Sequence, residues 1–218
     1  MIMKEDETMF KKGKSLIAAA VLGAAAGCAP PEEESMPGQE AEEVSSDHSA
    51  MQDSPIAEAG MVNTEETEIG RVRFYEEKDG VLMQTSFEKG VPEGFHGFHI
   101  HETGLCEPNA ADGPFATAGG HFNPGGTSHS SHAGDMPSLF GMTDGSAYLV
   151  SALDRITPEQ LVNGNLAVIL HDGPNNFANI PDRYIQSETG EPGPDEQTLM
   201  TGDSGSRISC GVIKPAGA

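Results

Sequence analysis

The sequence predicts an all-β domain, an antiparallel sandwich or barrel with two long functional loops. Three observations lead there. Several short segments alternate apolar and polar residues and are separated by turn-forming pairs. The 27 glycines and 15 prolines favour turns over long helices, and tryptophan is absent. Two polar stretches, roughly 103–143 and 172–206, are far longer than ordinary connections, and loops of that length in a compact domain usually carry function.

The elements follow in order. Residues 70–77 (GRVRFYEE) place Val72 and Phe74 on one face and Arg71 and Arg73 on the other, the two-residue period of a strand. Lys78, Asp79 and Gly80 make a turn, and VLMQTSF (81–87) reads as the returning strand. GFHGFHIH (94–101) follows Pro92 and Glu93 as the next strand. Asp144-Gly145 opens SAYLVSA (146–152), and Thr157-Pro158-Glu159 starts one helical turn over 157–162. LAVILH (166–171) is a continuous apolar run, as in a strand buried on both faces, and RISCGVI (207–213) is the last strand.

The chain divides into three parts. Lys11, Lys12 and Lys14 precede the apolar run LIAAAVLGAAAG, which is shorter than the ~20 residues needed to cross a bilayer. A basic start followed by a short apolar stretch reads as a secretory signal peptide over residues 1–27. Glu5, Asp6 and Glu7 do not suit such a start, which fits initiation at Met9. The ending AAAGC resembles a bacterial lipobox, with Ala25 where leucine is usual, and implies lipidation of Cys28. Residues 28–55 are acidic and poor in large apolar side chains, as in a disordered tether, and His48 in it reads as a solvated histidine. The folded domain is expected from 56 to 218.

Charge and cysteines limit the function. The formal charge is −22, and removing residues 1–27 takes away four lysines and three acids to leave −23. Binding to nucleic acid through phosphates needs the opposite sign. Of the three cysteines, Cys106 and Cys210 remain beyond Cys28, and outside the cytoplasm such a pair is expected to form a disulfide.

Seven of the eight histidines lie between 96 and 171. His99 and His101 share one strand face, roughly 7 Å apart, with Phe98 and Ile100 on the other. His121 (GGHFNP), His129, His132 and Asp135 follow, and His171 ends the apolar strand. Imidazoles in that number suit a metal centre. A cupin site would need glutamate four or five residues after His101, where Leu105 and Cys106 stand, so that reading fails.

GFHGFHIHETGLC, then GGHFNP with two more histidines and HAGD, then GDSGSRISCGVI are similar in content and order to the signatures of the copper/zinc superoxide dismutases of the bacterial exported kind, over about 57–213. The resemblance implies an eight-stranded Greek-key β-barrel or sandwich. It implies copper on His99, His101, His121 and His171, and zinc on His121, His129, His132 and Asp135, with His121 as a shared bridge. It places His96 behind the copper ligands, Arg207 and Thr201 in the substrate channel, and a Cys106–Cys210 disulfide anchoring a loop near Arg207. The implied reaction converts two superoxide anions to O₂ and H₂O₂ by alternate reduction and oxidation of copper, with Arg207 attracting the anion and His121 relaying a proton.

One position departs from the family pattern. Asn175 stands where the family has an aspartate that accepts hydrogen bonds from one copper ligand and one zinc ligand, so zinc is expected to be held less firmly, with Asp172 a candidate substitute. The competing function is a non-catalytic, dismutase-like copper-buffering protein. Such a protein would be expected to lose Arg207 or a copper ligand, and this chain keeps them. The expected location is the periplasm or cell surface, with membrane contact only through lipid on Cys28, as a monomer or a homodimer.

Overall fold

The structure, a computed structural model, describes residues 54–217. The expected signal peptide, Cys28 and nearly all of the acidic tether, including His48, lie outside the described residues.

Ten strands, two short α-helices and one 3-10 turn (Ala116–Ala118) are the regular elements of the described residues. The first three strands, β1 (Ala57–Asn63), β2 (Glu68–Glu77) and β3 (Gly80–Phe87), form a meander. They are followed by β4 (Gly94–His96), β5 (Phe98–His101), β6 (Leu139–Gly141), β7 (Ala147–Leu153), β8 (Ala167–His171), β9 (Arg207–Val212) and β10 (Lys214–Pro215). The main sheet runs β5-β8-β9-β1-β2-β3-β7, with β10 against β1, and its pairings are antiparallel. β4 runs into β5 through Gly97 and pairs with β6, which turns into β7. This pair therefore links the two ends of the curled sheet along the chain. The architecture is an antiparallel Greek-key β-barrel.

Alternation builds the interior. Val72 and Phe74 of β2, Val81 and Met83 of β3, and Phe98 and Ile100 of β5 all enter one core, where burying each large apolar side chain contributes roughly 1.5–3 kcal/mol. Gly70 permits the closest packing there, because a Cβ at that position would overlap the Phe87 ring.

The strand β8 departs from simple alternation in the way its apolar run predicts. Val168 and Leu170 face the main core, while Ala167 and Ile169 join a second cluster with Phe115, Ala118 and Cys210. The long 103–119 loop supplies the cover for that outer face. His171 shares the outer side by alternation, as His99 and His101 do on β5. The metal-ligand candidates thus sit on the outside of the barrel, under loops.

Helix α1 (Pro158–Asn163) starts where expected, with Thr157 and Gln160 forming a reciprocal capping box. Three elements carry no clear sequence signal. The buried face of β1 is Ala57, Ala59 and Met61, too small in side-chain volume to read as a strand core. β6 spans three residues. Helix α2 (Glu196–Thr201), capped by Asp195 and ended by Gly202 at φ 61°, lies inside the segment that reads as loop, and its single buried residue is Thr198.

Candidate metal centre

The free edge of β5 organises the site. Ile100 donates its N–H to Gly134 and accepts from Phe122, both at 2.8 Å, so the 119–136 loop is laid along the strand. Gly134 allows that approach, since a Cβ there would overlap the Ile100 carbonyl. Bridges pair His101 with His121 and His99 with Asp135. From the loop, His129 is fixed by its N–H to Leu199 O on α2, at 2.8 Å. None of the seven histidines from His96 to His171 is more than 8% exposed, which excludes a set of solvated surface imidazoles.

A first set gathers His99, His101, His121 and His171, with one ligand atom from each lying within 4.8 Å of the others. His99 Nδ1, His101 Nε2 and His171 Nε2 are buried and have no hydrogen-bond partner. Buried polar atoms are rarely left so, and each costs roughly 1–3 kcal/mol. The opposite nitrogens of two rings are occupied: His101 Nδ1 donates to Gly119 O at 2.9 Å and His171 Nδ1 to Gly205 O at 3.1 Å. Those bonds put the proton on Nδ1 and leave a lone pair on Nε2. Burial, reinforced by the neighbouring His121, holds His99 and His101 well below the ordinary imidazole pKa, and burial brings His171 down to about 4. Imidazoles whose nitrogens converge in this way, three of them without a partner, fit a copper ion.

A second set surrounds Asp135 Oδ1. His121 Nδ1 and His129 Nδ1 lie 2.9 Å from it and His132 Nδ1 lies 3.3 Å away. His129 Nδ1 is near the oxygen without being aimed at it, and so has no hydrogen bond. Burial alone would raise the Asp135 carboxyl, but contact with His121 and His129 outweighs it and holds the group far below the usual carboxylate range. Burial pushes His132 down, whereas at His129 burial is outweighed by Asp135 and Asn175, which raise it. Proximity also groups His99 with His121, His129 and Asp135. His132 is the better fourth member, because its Nδ1 is 3.3 Å from both His121 Nδ1 and Asp135 Oδ1. Three imidazoles and one carboxylate fit zinc. His121 is common to both sets: its Nδ1 faces Asp135, which leaves Nε2 for the first set.

The family model for copper/zinc superoxide dismutase (SODC) matches residues 68–213. The chain belongs to the copper/zinc superoxide dismutase family. A "Superoxide dismutase [Cu-Zn]" of Mycobacterium tuberculosis is 45% identical over 158 residues, covering 67% of this chain and 65% of the relative. "Superoxide dismutase [Cu-Zn] 2" of Aquifex aeolicus is 30% identical over 170 residues, covering 72% of this chain and 86% of the relative. The match thus spans somewhat less than two thirds of the mycobacterial relative. Among solved structures, a double mutant of a SOD-like protein from Bacillus subtilis is similar at TM-score 0.55 and 26% identity, covering 72% of this chain and 96% of that one. The clock protein EA4 is similar at TM-score 0.57 and 25% identity, covering 75% and 96%.

In this dismutase-family chain a cleft of about 880 Å³ leads to the first set, and His101, His121, His171, Thr201 and Arg207 line it. Arg207 is the one basic side chain lining it among the described residues, against Glu102, Glu196 and Asp203. Its Nη1 donates to Phe115 O and its Nη2 to Gly119 O, both at 2.6 Å, which leaves further guanidinium N–H groups free. Gly119 O therefore serves two donors at once, Arg207 and His101, and ties the position of the cation to that of a metal-ligand candidate. Sequence reading missed this carbonyl, since a backbone acceptor leaves no side-chain signal. The nearest clue was Gly119 itself, which adopts φ 74°. The Cys106–Cys210 disulfide pins the loop that carries both carbonyls, with a sequence separation of 104.

The remaining candidates divide. The His96 ring meets no imidazole or carboxylate of either set: its Nδ1 lies 3.0 Å from the backbone His171 O and its Nε2 2.8 Å from Pro92 O, bracing the backbone of His171. Thr201 Oγ1 donates to Gln197 O at 2.9 Å at the lip of the cleft. Asp172 does not substitute for the missing aspartate, because its Oδ1 accepts from Ser206 N at 2.7 Å. Asn175 is the residue between the two sets, touching His129 at 2.8 Å and His99 at 3.0 Å.

Proposed function

We propose that this protein is an exported superoxide dismutase, taking two superoxide anions and two protons to O₂ and H₂O₂. The observation that carries the reading is the convergence of three unpartnered nitrogens, from His99, His101 and His171, around a fourth imidazole that a second set holds from behind. Copper on His99, His101, His121 and His171 supplies, when bound, a one-electron couple, and zinc on His121, His129, His132 and Asp135 a fixed positive charge.

The chain's own groups do the rest. Arg207 draws the anion down a cleft whose other charged lining residues are acidic, and a guanidinium held by two carbonyls needs no reorganisation to do so. Thr201 narrows the approach. His121 Nε2 is the atom positioned to hand a proton to the reduced product, while Asp135 keeps the ring in place through Nδ1.

Export is supported by the basic, then apolar, run that ends at Cys28, and by the disulfide, which belongs to oxidising compartments. In this reading residues 1–27 are removed, Cys28 carries lipid as the sole membrane contact, residues 28–55 are the tether and 56–218 the enzyme, as monomer or homodimer. Among the described residues no helix is long and apolar enough to cross a membrane. The alternative, a copper-buffering relative without turnover, is disfavoured by the Arg207 arrangement, which a storage site has no use for.

The test is superoxide consumption by the copper- and zinc-loaded protein, before and after copper removal. Activity that disappears with copper and returns on reloading is the expected result. Full occupancy of both sets without turnover would establish the buffering alternative. The mass of the native N-terminus, acylated at Cys28 or not, tests the anchor.

A further inference from the structure

Asn175 holds two imidazoles at once, and the order of its atoms matters. Its Oδ1 faces His129 Nε2 at 2.8 Å and also accepts the Phe177 backbone N–H at 2.8 Å, while its Nδ2 faces His99 Nε2 at 3.0 Å. The Phe177 bond decides the orientation. Turning the amide over would set its NH₂ against a backbone N–H, which can only donate. The amide is buried, and Gly202 leaves the room for it: a Cβ there would overlap both Asn175 Oδ1 and His129 Nε2.

A neutral imidazole carries one N–H and one lone pair, and the neighbour of one nitrogen fixes the state of the other. At His129 the amide oxygen accepts, so a proton sits on Nε2 and Nδ1, beside Asp135, is the nitrogen left to ligate. At His99 the amide donates, so Nε2 must accept and the proton moves to Nδ1. That Nδ1 is the nitrogen buried without a partner in the first set. His101 and His171 present lone pairs there, because carbonyls accept from their opposite nitrogens.

We propose that Asn175 is a positioning residue that prepares the two sets unequally: it presets His129 to ligate and His99 not to, so that His99 is the point at which copper loading is weakened. The zinc side, where the departure from aspartate is expected to weaken binding, keeps its acceptor. For His99 to ligate through Nδ1, either the contact with Asn175 opens or Nε2 gives up its proton to remain facing the amide donor. A carboxylate at 175 removes the conflict, because its two oxygens accept from both rings. The inference rests on the assignment of His99 to copper, but its first test does not depend on activity.

In the metal-free full-length chain, ¹⁵N spectroscopy of the histidine rings distinguishes N–H from lone-pair nitrogens. His99 is expected as Nδ1–H and His129 as Nε2–H. In Asn175→Asp, His99 changes to Nε2–H and His129 does not. A wild-type His99 already in the Nε2–H form overturns the proposal, and that spectrum decides it even if the variant folds poorly. In the loaded protein, chelator competition is expected to show copper held about 10–100-fold more tightly in Asn175→Asp, with a smaller change for zinc. An equal or larger gain for zinc also overturns it. A protein with the expected tautomers but no superoxide consumption would leave this proposal standing and sink the dismutase reading instead.

Discussion

The two candidate metal-ligand sets meet at His121 yet are built differently. Three of the four members of the first set come from strands β5 and β8, whose inner faces are locked into the main core. All four members of the second set, His121 included, lie on the 119–136 loop, brought together by a carboxylate oxygen and by the stitching of that loop to β5 and α2. The first is all imidazole, with His99, His101 and His171 held below the ordinary imidazole value chiefly by burial. The second balances its imidazoles against a negative charge. In the proposed assignment the redox metal needs a frame that does not move when its charge changes, and strands supply it. A structural metal can complete a loop that would otherwise lack a core, so the second set should depend more on its ion.

The largest effect that would break the comparison is expected at the shared residue. His121→Ala removes a ligand from both sets, so copper and zinc retention should fall together and superoxide consumption should drop to the level of the metal-free protein. Metal analysis after mild chelation checks this. Loss of zinc alone would mean that the first set is complete without His121.

A smaller effect, confined to one side, is expected at Arg207. Arg207→Glu should lower the rate more than Arg207→Ala, roughly 10-fold or more at low salt, with metal content unchanged. The difference should shrink as salt rises, because at physiological ionic strength attraction beyond about 8 Å is largely screened. Rates across a salt series for the three proteins supply the measurement. An Arg207→Glu protein as fast as the wild type would remove the steering role.

The smallest effect separates the sets by pH in the metal-free protein. His99, His101 and His171 titrate below the ordinary imidazole value of 6.5 when folded, His171 at about 4. The unfolded chain therefore takes up protons first, and stability should decline as pH falls from about 6.5 toward 4. His129, raised by Asp135 and Asn175, works in the opposite sense, contributing stability at low pH that is lost as pH rises through its folded value. His132, which burial also lowers, adds to the first three, and four groups against one give a net loss toward acid. Denaturant midpoints across that range, repeated in His171→Gln, test the sign, since the variant should lose part of the slope.

Much of the barrel was legible because its cause is local. Val72 and Phe74 against Arg71 and Arg73 declare a strand with one wet face, and LAVIL declares one with none. Elements without a local cause were not legible. The small face of β1 becomes a strand only because β2 and β9 lie on either side of it, and α2 has a cap but no apolar stripe. At the site, the candidate ligands stand out in the sequence because chelation restricts which side chains serve, and strand alternation puts His99 and His101 on one face. Asp172 shows the limit. It is close in sequence to the right place, and its carboxylate is spent on the Ser206 N–H.

By itself the sequence determined the chemical inventory: seven clustered histidines, one aspartate, one arginine and a cysteine pair, in an order similar to one family's signatures, on strands whose period is two. Only the tertiary structure decided how those groups face one another. It determined that Gly119 O serves Arg207 and His101 together, that Asp135 gathers three imidazoles on one oxygen, and that Asn175 points its oxygen at His129 and its NH₂ at His99. The physical reason is that side-chain identity and strand period are properties of the chain. The direction of a hydrogen bond is set by whatever distant backbone group competes for the same atom. Here that group is the N–H of Phe177.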